Sequence, residues 1–122
     1  MAEALPGILR ERLDRQVFHE ALEEVWKVVR AANGYIDRQA PWALRRTDPE
    51  RMGVVLRVLA DALRVIATVL QPFMPDGMAR MLEQLGVPEG ARMLADLTTP
   101  LPDGTALPAP QGVFPRYVEP AA

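Results

Sequence analysis

The residues best suited to chemistry cluster between positions 38 and 46. Trp42 follows a proline in Gln39-Ala40-Pro41-Trp42, with Arg38 before it and Arg45 and Arg46 after it. A large ring at a helix corner, fixed by a proline and flanked by guanidinium groups, suits the stacking of an unpaired nucleobase, an interaction worth ~1–3 kcal/mol per base. The neighbouring arginines would hold phosphates or stack as well. The competing reading is structural: Trp42 plugs the end of a helix bundle and fixes an inter-helix angle. On the residues alone both readings stand. Trp26 differs, because it sits within an apolar helical stripe and is expected in the core.

Other candidates for chemistry are weaker. His19 lies beside Phe18 with Glu20 and Glu23 nearby, but a lone helix histidine reads as a surface or half-buried residue. Glu20, Glu23 and Glu24 read as a solvated face. Gly86 and Gly90 do not form a phosphate-cradling loop. With no cysteine and one histidine, no thiolate site, disulfide framework or histidine-rich metal site is available. No catalytic or metal-binding constellation is expected in this chain.

Charge is uneven along the sequence. The formal net charge is −2. Residues 25–46, however, carry Lys27, Arg30, Arg38, Arg45 and Arg46 against Asp37 alone, and the flanking segments are acidic on balance. A local basic patch is all that phosphate contact requires; a solvated helix face explains the same pattern.

The elements that must position these groups are helical. Phe18, Leu22, Val25, Trp26, Val29 and Ile36 recur at helical spacing. The helix they imply ends near Gln39, because Pro41 disfavours the helical region for Ala40. Residues 8–13 belong to a preceding helix, with Asp14 a candidate cap at the break. Thr47-Asp48-Pro49-Glu50 is a helix start. The helix that follows carries one stripe of Met52, Val55, Leu56, Leu59, Leu63, Ile66 and Leu70. A second stripe of Val54, Val58, Ala62, Val65 and Val69 lies beside it. A helix apolar over so much of its circumference belongs in the middle of a bundle, flanked by at least two others. Met74, Met78, Met81, Leu82 and Leu85 form the inner face of a shorter helix, with Gly86 as a left-handed C-terminal glycine.

At 122 residues, 49% of them hydrophobic, the chain is the size of one domain. Six of its twelve prolines fall in the last 23 residues. The expected architecture is all-α, an antiparallel helix bundle over residues 1–97 with an extended, proline-rich arm over 98–122. Val113, Phe114, Tyr117 and Val118 suggest that the arm docks. The N-terminus lacks the basic and apolar regions of a secretory signal. The most apolar stretch, residues 54–70, is interrupted by Arg57, Asp61 and Arg64 and falls short of the ~20 residues of a membrane span. An intracellular, cytoplasmic location is expected.

Four segments, in order, resemble one family. Ala31-Ala32-Asn33-Gly34-Tyr35-Ile36-Asp37-Arg38-Gln39-Ala40-Pro41-Trp42 is similar to the Ala-Asn-x-Tyr-Ile-Asp-x-x-x-Pro-Trp motif of the helical anticodon-binding domain of methionyl-tRNA synthetases, class I aminoacyl-tRNA synthetases. Ala21-Leu22-Glu23-Glu24-Val25-Trp26 resembles the run before that motif, Leu70-Gln71-Pro72-Phe73-Met74-Pro75 its Leu-x-Pro-x-x-Pro, and Val113-Phe114-Pro115-Arg116 its closing segment. The resemblance implies that Trp42 stacks on a base of the CAU anticodon, the cytosine in first position. Pro41 would set the ring's presentation. Asn33 would hydrogen-bond in the loop site or tie its helix to a neighbour, and Asp37 would repel misplaced backbones. Arg38, Arg45 and Arg46 are phosphate candidates on charge alone. The implied partners are the anticodon loop of the methionine tRNA and the catalytic domain of the same synthetase, with no DNA and no membrane.

The chain departs from the family in lacking its first anticodon-domain helix, its zinc knuckle, and the His-Ile-Gly-His and Lys-Met-Ser-Lys-Ser signatures of the catalytic domain. It is expected to be the C-terminal piece of a methionine–tRNA ligase, with no cofactor of its own, ATP and Mg2+ serving the parent enzyme. A helical protein-interaction or assembly module without RNA binding is the alternative from a different class.

Overall fold

A computed structural model describes residues 1–121. Among them lie five α-helices: α1 Leu5–Asp14, α2 Phe18–Gln39, α3 Pro41–Thr47, α4 Pro49–Leu70 and α5 Pro75–Gln84. Short 3-10 turns occur at Ala2–Ala4, Glu89–Ala91 and Leu94–Thr98. No strand is present among the described residues.

The core is built around the C-terminal half of α4. Ile66, Ala67, Val69 and Leu70 meet Leu5 and Leu9 of α1, Ala21, Val25 and Val28 of α2, and Met78 and Leu82 of α5. Met78 and Leu82 are 1% and 0% exposed; full burial of such a side chain stabilises by ~1.5–3 kcal/mol. α4 packs against α1, α2, α3 and α5, the central position its two apolar stripes require. Its N-terminal half is less covered, with Val54, Leu56 and Val58 exposed. There the helix meets α3, whose seven residues cannot reach around both sides of the inner Val55–Leu59 line.

Trp26 departs from expectation in the same way. It is 58% exposed, because Ala21, Val25 and Val28 are the positions of α2 that face inward. One residue past Val25, its indole lies on the rim. Phe18, also in the expected stripe, is exposed.

Helix ends follow local chemistry. Asp48 caps α4, its carboxylate accepting from the Arg51 amide at 3.1 Å. The Thr47 hydroxyl turns back and donates to the Ala43 carbonyl instead. Gly86 (φ 73) ends α5, with the Val87 amide donating to the Leu82 carbonyl, as a Schellman closure requires. The α1–α2 break uses the same device without glycine: Gln16 takes φ 58 and the Val17 amide donates to the Arg12 carbonyl. Asp14 is the last residue of α1 and caps nothing; α2 starts from Val17 with no side-chain cap.

Past Thr98 the described chain is extended and lies on α4 and α5. Arg64, 5% exposed, donates to the Asp96 carbonyl at 2.6 Å and the Thr99 carbonyl at 2.8 Å. Arg57 donates to the Leu101 carbonyl and pairs with Asp103. The Gln84 side chain exchanges hydrogen bonds with the backbone of Gln111, and Arg80 donates to the Val113 carbonyl. The Phe114 ring lies over Gly77 so closely that a Cβ there would sit 2.7 Å from it. Tyr117 and Val118 do not share in this docking; both are more than four-fifths exposed.

Candidate nucleic-acid interface

The basic segment forms a tight corner. α2 ends at Gln39 and α3 begins at Pro41, so a single residue, Ala40, makes the turn. The following proline disfavours the right-handed helical region for Ala40, and it adopts φ 45, ψ 63. This left-handed conformation costs an L-residue roughly 1–2 kcal/mol. It lets Ala40 serve both helices. Its amide donates to the Ile36 carbonyl at 2.9 Å, closing α2, while its carbonyl accepts from the Ala43 and Leu44 amides, opening α3.

The corner separates Pro41 and Trp42. Pro41 is buried. Trp42, one position on, is 64% exposed. The structural alternative for Trp42, a ring sealed in the bundle end, does not hold. Its indole lines an open recess with Ala43, Arg45, Arg46 and Thr47. Arg45 and Arg46 occupy the last turn of α3, and neither forms a salt bridge or side-chain hydrogen bond among the described residues.

Arg38, Asn33 and Asp37 lie on the last turns of α2, exposed and outside the lining of that recess. The Arg38 guanidinium folds back along α2 against Gly34. No hydrogen bond ties the Asn33 side chain to a neighbouring helix among the described residues. The structure therefore brings together Trp42, Arg45 and Arg46, and leaves the three α2 residues as an adjoining exposed face.

Two residues outside the predicted set join the corner. The Arg51 guanidinium of α4 donates from Nη2 to Oε1 of Gln39 at 2.9 Å, linking the end of α2 to the start of α4 across α3. The sequence offered only a faint signal for it: a long donor three residues after a helix cap and a long acceptor just before a corner.

The resolved pKa shifts lie away from the corner. On α1, the hydrogen bond from Arg15 holds the Glu11 carboxyl below its ordinary range, and the same bond raises Arg15. Among the described residues no group of three His, Cys, Asp or Glu could hold a metal ion, and no glycine-rich phosphate loop is present. The residues here do not fit an ATP–Mg2+ site.

Residues 7–120 match the family model described as the anticodon binding domain of methionyl tRNA ligase. The chain belongs to this family. It is 50% identical over 119 residues to a methionine–tRNA ligase of Brucella suis biovar 1, covering 97% of this chain and 23% of that protein. It is similar to the crystal structure of the free methionyl-tRNA synthetase of Mycobacterium tuberculosis, with a TM-score of 0.91 at 38% identity over 98% of this chain and 25% of the other. The structure of the same synthetase bound by methionyl-adenylate gives a TM-score of 0.90 at 37% identity, over 93% of this chain and 23% of the other. The chain thus spans about a quarter of the length of these relatives. Both the all-helical fold and the anticodon-binding family expected from the ordered motifs are borne out. Among the described residues no helix is long and apolar enough to cross a membrane.

Proposed function

We propose that this chain identifies a tRNA by its anticodon loop, with the Trp42 ring stacking on an unpaired base, the cytosine in first position of CAU. Pro41 sets the ring's direction, Asn33 offers an amide to the loop, and Asp37 turns away misplaced phosphates. Arg38, Arg45 and Arg46 contact the backbone. The chain would act as part of a cytoplasmic methionine–tRNA ligase whose catalytic domain attaches methionine to the methionine tRNA with ATP and Mg2+.

The observation that carries this reading is the pairing of a buried Pro41 with an exposed Trp42 beside two unengaged arginines. Trp42 is nearly two-thirds exposed, so a base can settle on its ring without the fold rearranging. The test is Trp42→Ala in the intact ligase. It should lower kcat/KM for tRNA by the ~1–3 kcal/mol of one stacking platform and leave methionine activation unchanged. Equal loss in both reactions would make Trp42 a structural residue.

A second reading, a protein-interaction module, has one feature in its favour. An apolar groove runs between α2, α4 and α5, edged by Trp26, Met74 and Phe114. Salt separates the two readings: contacts to phosphate weaken steeply as ionic strength rises, and apolar docking does not.

A further inference from the structure

We infer that Arg51 is a positioning residue for Trp42, acting through Gln39 and touching no nucleotide itself. The inference rests on the stacking role proposed for Trp42 and adds the device that aims the ring. Ala40 is held in a conformation that an alanine does not favour, so the angle between α2 and α3 needs support from outside the turn. Pro41 supplies part of it by burial. The packing of α4 against both α2 and α3 supplies more, and among the described residues the one side-chain hydrogen bond that joins the end of α2 to α4 is the 2.9 Å bond from Arg51 Nη2 to Gln39 Oε1.

That bond closes a ring of contacts around α3. Asp48 ends α3 by donating its amide to the Leu44 carbonyl at 2.8 Å. The Asp48 carboxylate accepts from the Arg51 amide and so fixes the turn from which Arg51 projects. Arg51 then reaches back to the residue preceding Ala40. Every bond in the circuit crosses a helix boundary, and Trp42, the second residue of α3, is carried on the element they enclose. Arginine suits this task, because its planar fork holds direction better than an ammonium group does.

The experiment uses the full chain carrying Trp26→Phe, which leaves Trp42 as the single indole. Arg51→Ala and Gln39→Ala should each lower the fluorescence anisotropy of Trp42 without RNA present, and leave the circular-dichroism melting curve in place. Each should weaken binding of a CAU-bearing anticodon stem-loop by about threefold to tenfold, the scale of one net hydrogen bond. The double variant should be no weaker than either single one, since both break the same bond. Gln39→Glu keeps an acceptor in place and should retain both anisotropy and binding.

Unchanged anisotropy in both alanine variants overturns the inference. So does a loss of binding in Arg51→Ala alone, with the salt dependence reduced by about one phosphate contact, for then Arg51 is a phosphate ligand. A fall in anisotropy in both variants with undiminished RNA binding upholds the positioning role and instead overturns the stacking role of Trp42. Should Gln39→Ala fail to fold, Gln39→Asn, which only withdraws the acceptor by one methylene, is read in its place.

Discussion

The corner around Trp42 and the arm beyond Thr98 are both irregular and both rich in arginine contacts, yet they use arginine in opposite ways. Along the arm, Arg57, Arg64 and Arg80 donate to backbone carbonyls of residues 96 to 113. Their donors are spent on an extended segment that has few backbone partners of its own. At the corner, Arg45 and Arg46 end α3 with their donors turned to solvent beside an exposed indole. A buried, carbonyl-bonded guanidinium holds a fold together; an unengaged one on a short helix is free to meet a phosphate. Residue type does not distinguish the two uses. What the chain places opposite the side chain does.

The sharpest way to break this contrast is at Arg64. Its replacement by alanine strands the Asp96 and Thr99 carbonyls and opens a cavity beside α4, which should cost about 3 kcal/mol of stability. Chemical denaturation measures it. Binding of an anticodon stem-loop, compared at equal folded fraction, should stay within twofold of the wild type, roughly 0.4 kcal/mol. The reverse pattern is expected from replacing both Arg45 and Arg46 with alanine: melting is unchanged, and the salt dependence of binding falls by about one contact for each arginine that meets a phosphate.

A smaller effect sharpens the backbone side of the comparison. Ala40→Gly removes the left-handed penalty, a gain of up to about 1 kcal/mol that glycine's greater freedom in the unfolded chain partly offsets. The same change should loosen the corner, so stability and RNA affinity move in opposite directions. The smallest effect lies on α1, which belongs to neither region. Glu11→Gln should lower the melting temperature slightly near neutral pH. Because Glu11's folded pKa is lowered from 4.5, its contribution is fully present above that ordinary value and is lost as pH falls through the lowered one. The difference between wild type and variant should therefore fade in acid.

Much of this was legible from residue order. Pro41 announced the end of α2, Asp48-Pro49 the start of α4, and Gly86 the close of α5, because each acts through local geometry. Gln16 was not legible: it makes the same turn as Gly86 without the residue type that advertises it. Trp26 lies on the rim despite its place in the apolar stripe, because spacing reports which side of a helix is apolar and not how much of that side a neighbour covers. The exposed Val54, Leu56 and Val58 of α4 teach the same lesson.

The arm's anchors were visible in part. Arg57, Asp61 and Arg64 interrupt the apolar run at spacings of four and three, which places them on one helical face. That stripe is where the arm lies. The partners are backbone carbonyls tens of residues away, and no pattern within α4 encodes them. At the candidate site, residue type and spacing single out Trp42 and the two arginines of α3 without deciding between a stacking and a structural role for the ring. They do not reveal the Gln39–Arg51 link, since it depends on how α2 and α4 approach each other.

The measurement closest to the central claim follows the indole itself. In the Trp26→Phe chain, titration with a stem-loop bearing CAU should quench Trp42 fluorescence saturably, since a stacked base covers the ring's open surface. Replacing the first anticodon cytosine with an abasic site should abolish that quenching and weaken binding by ~1–3 kcal/mol. Quenching that persists undiminished with the abasic loop, or tight binding that leaves Trp42 emission untouched, would contradict the account.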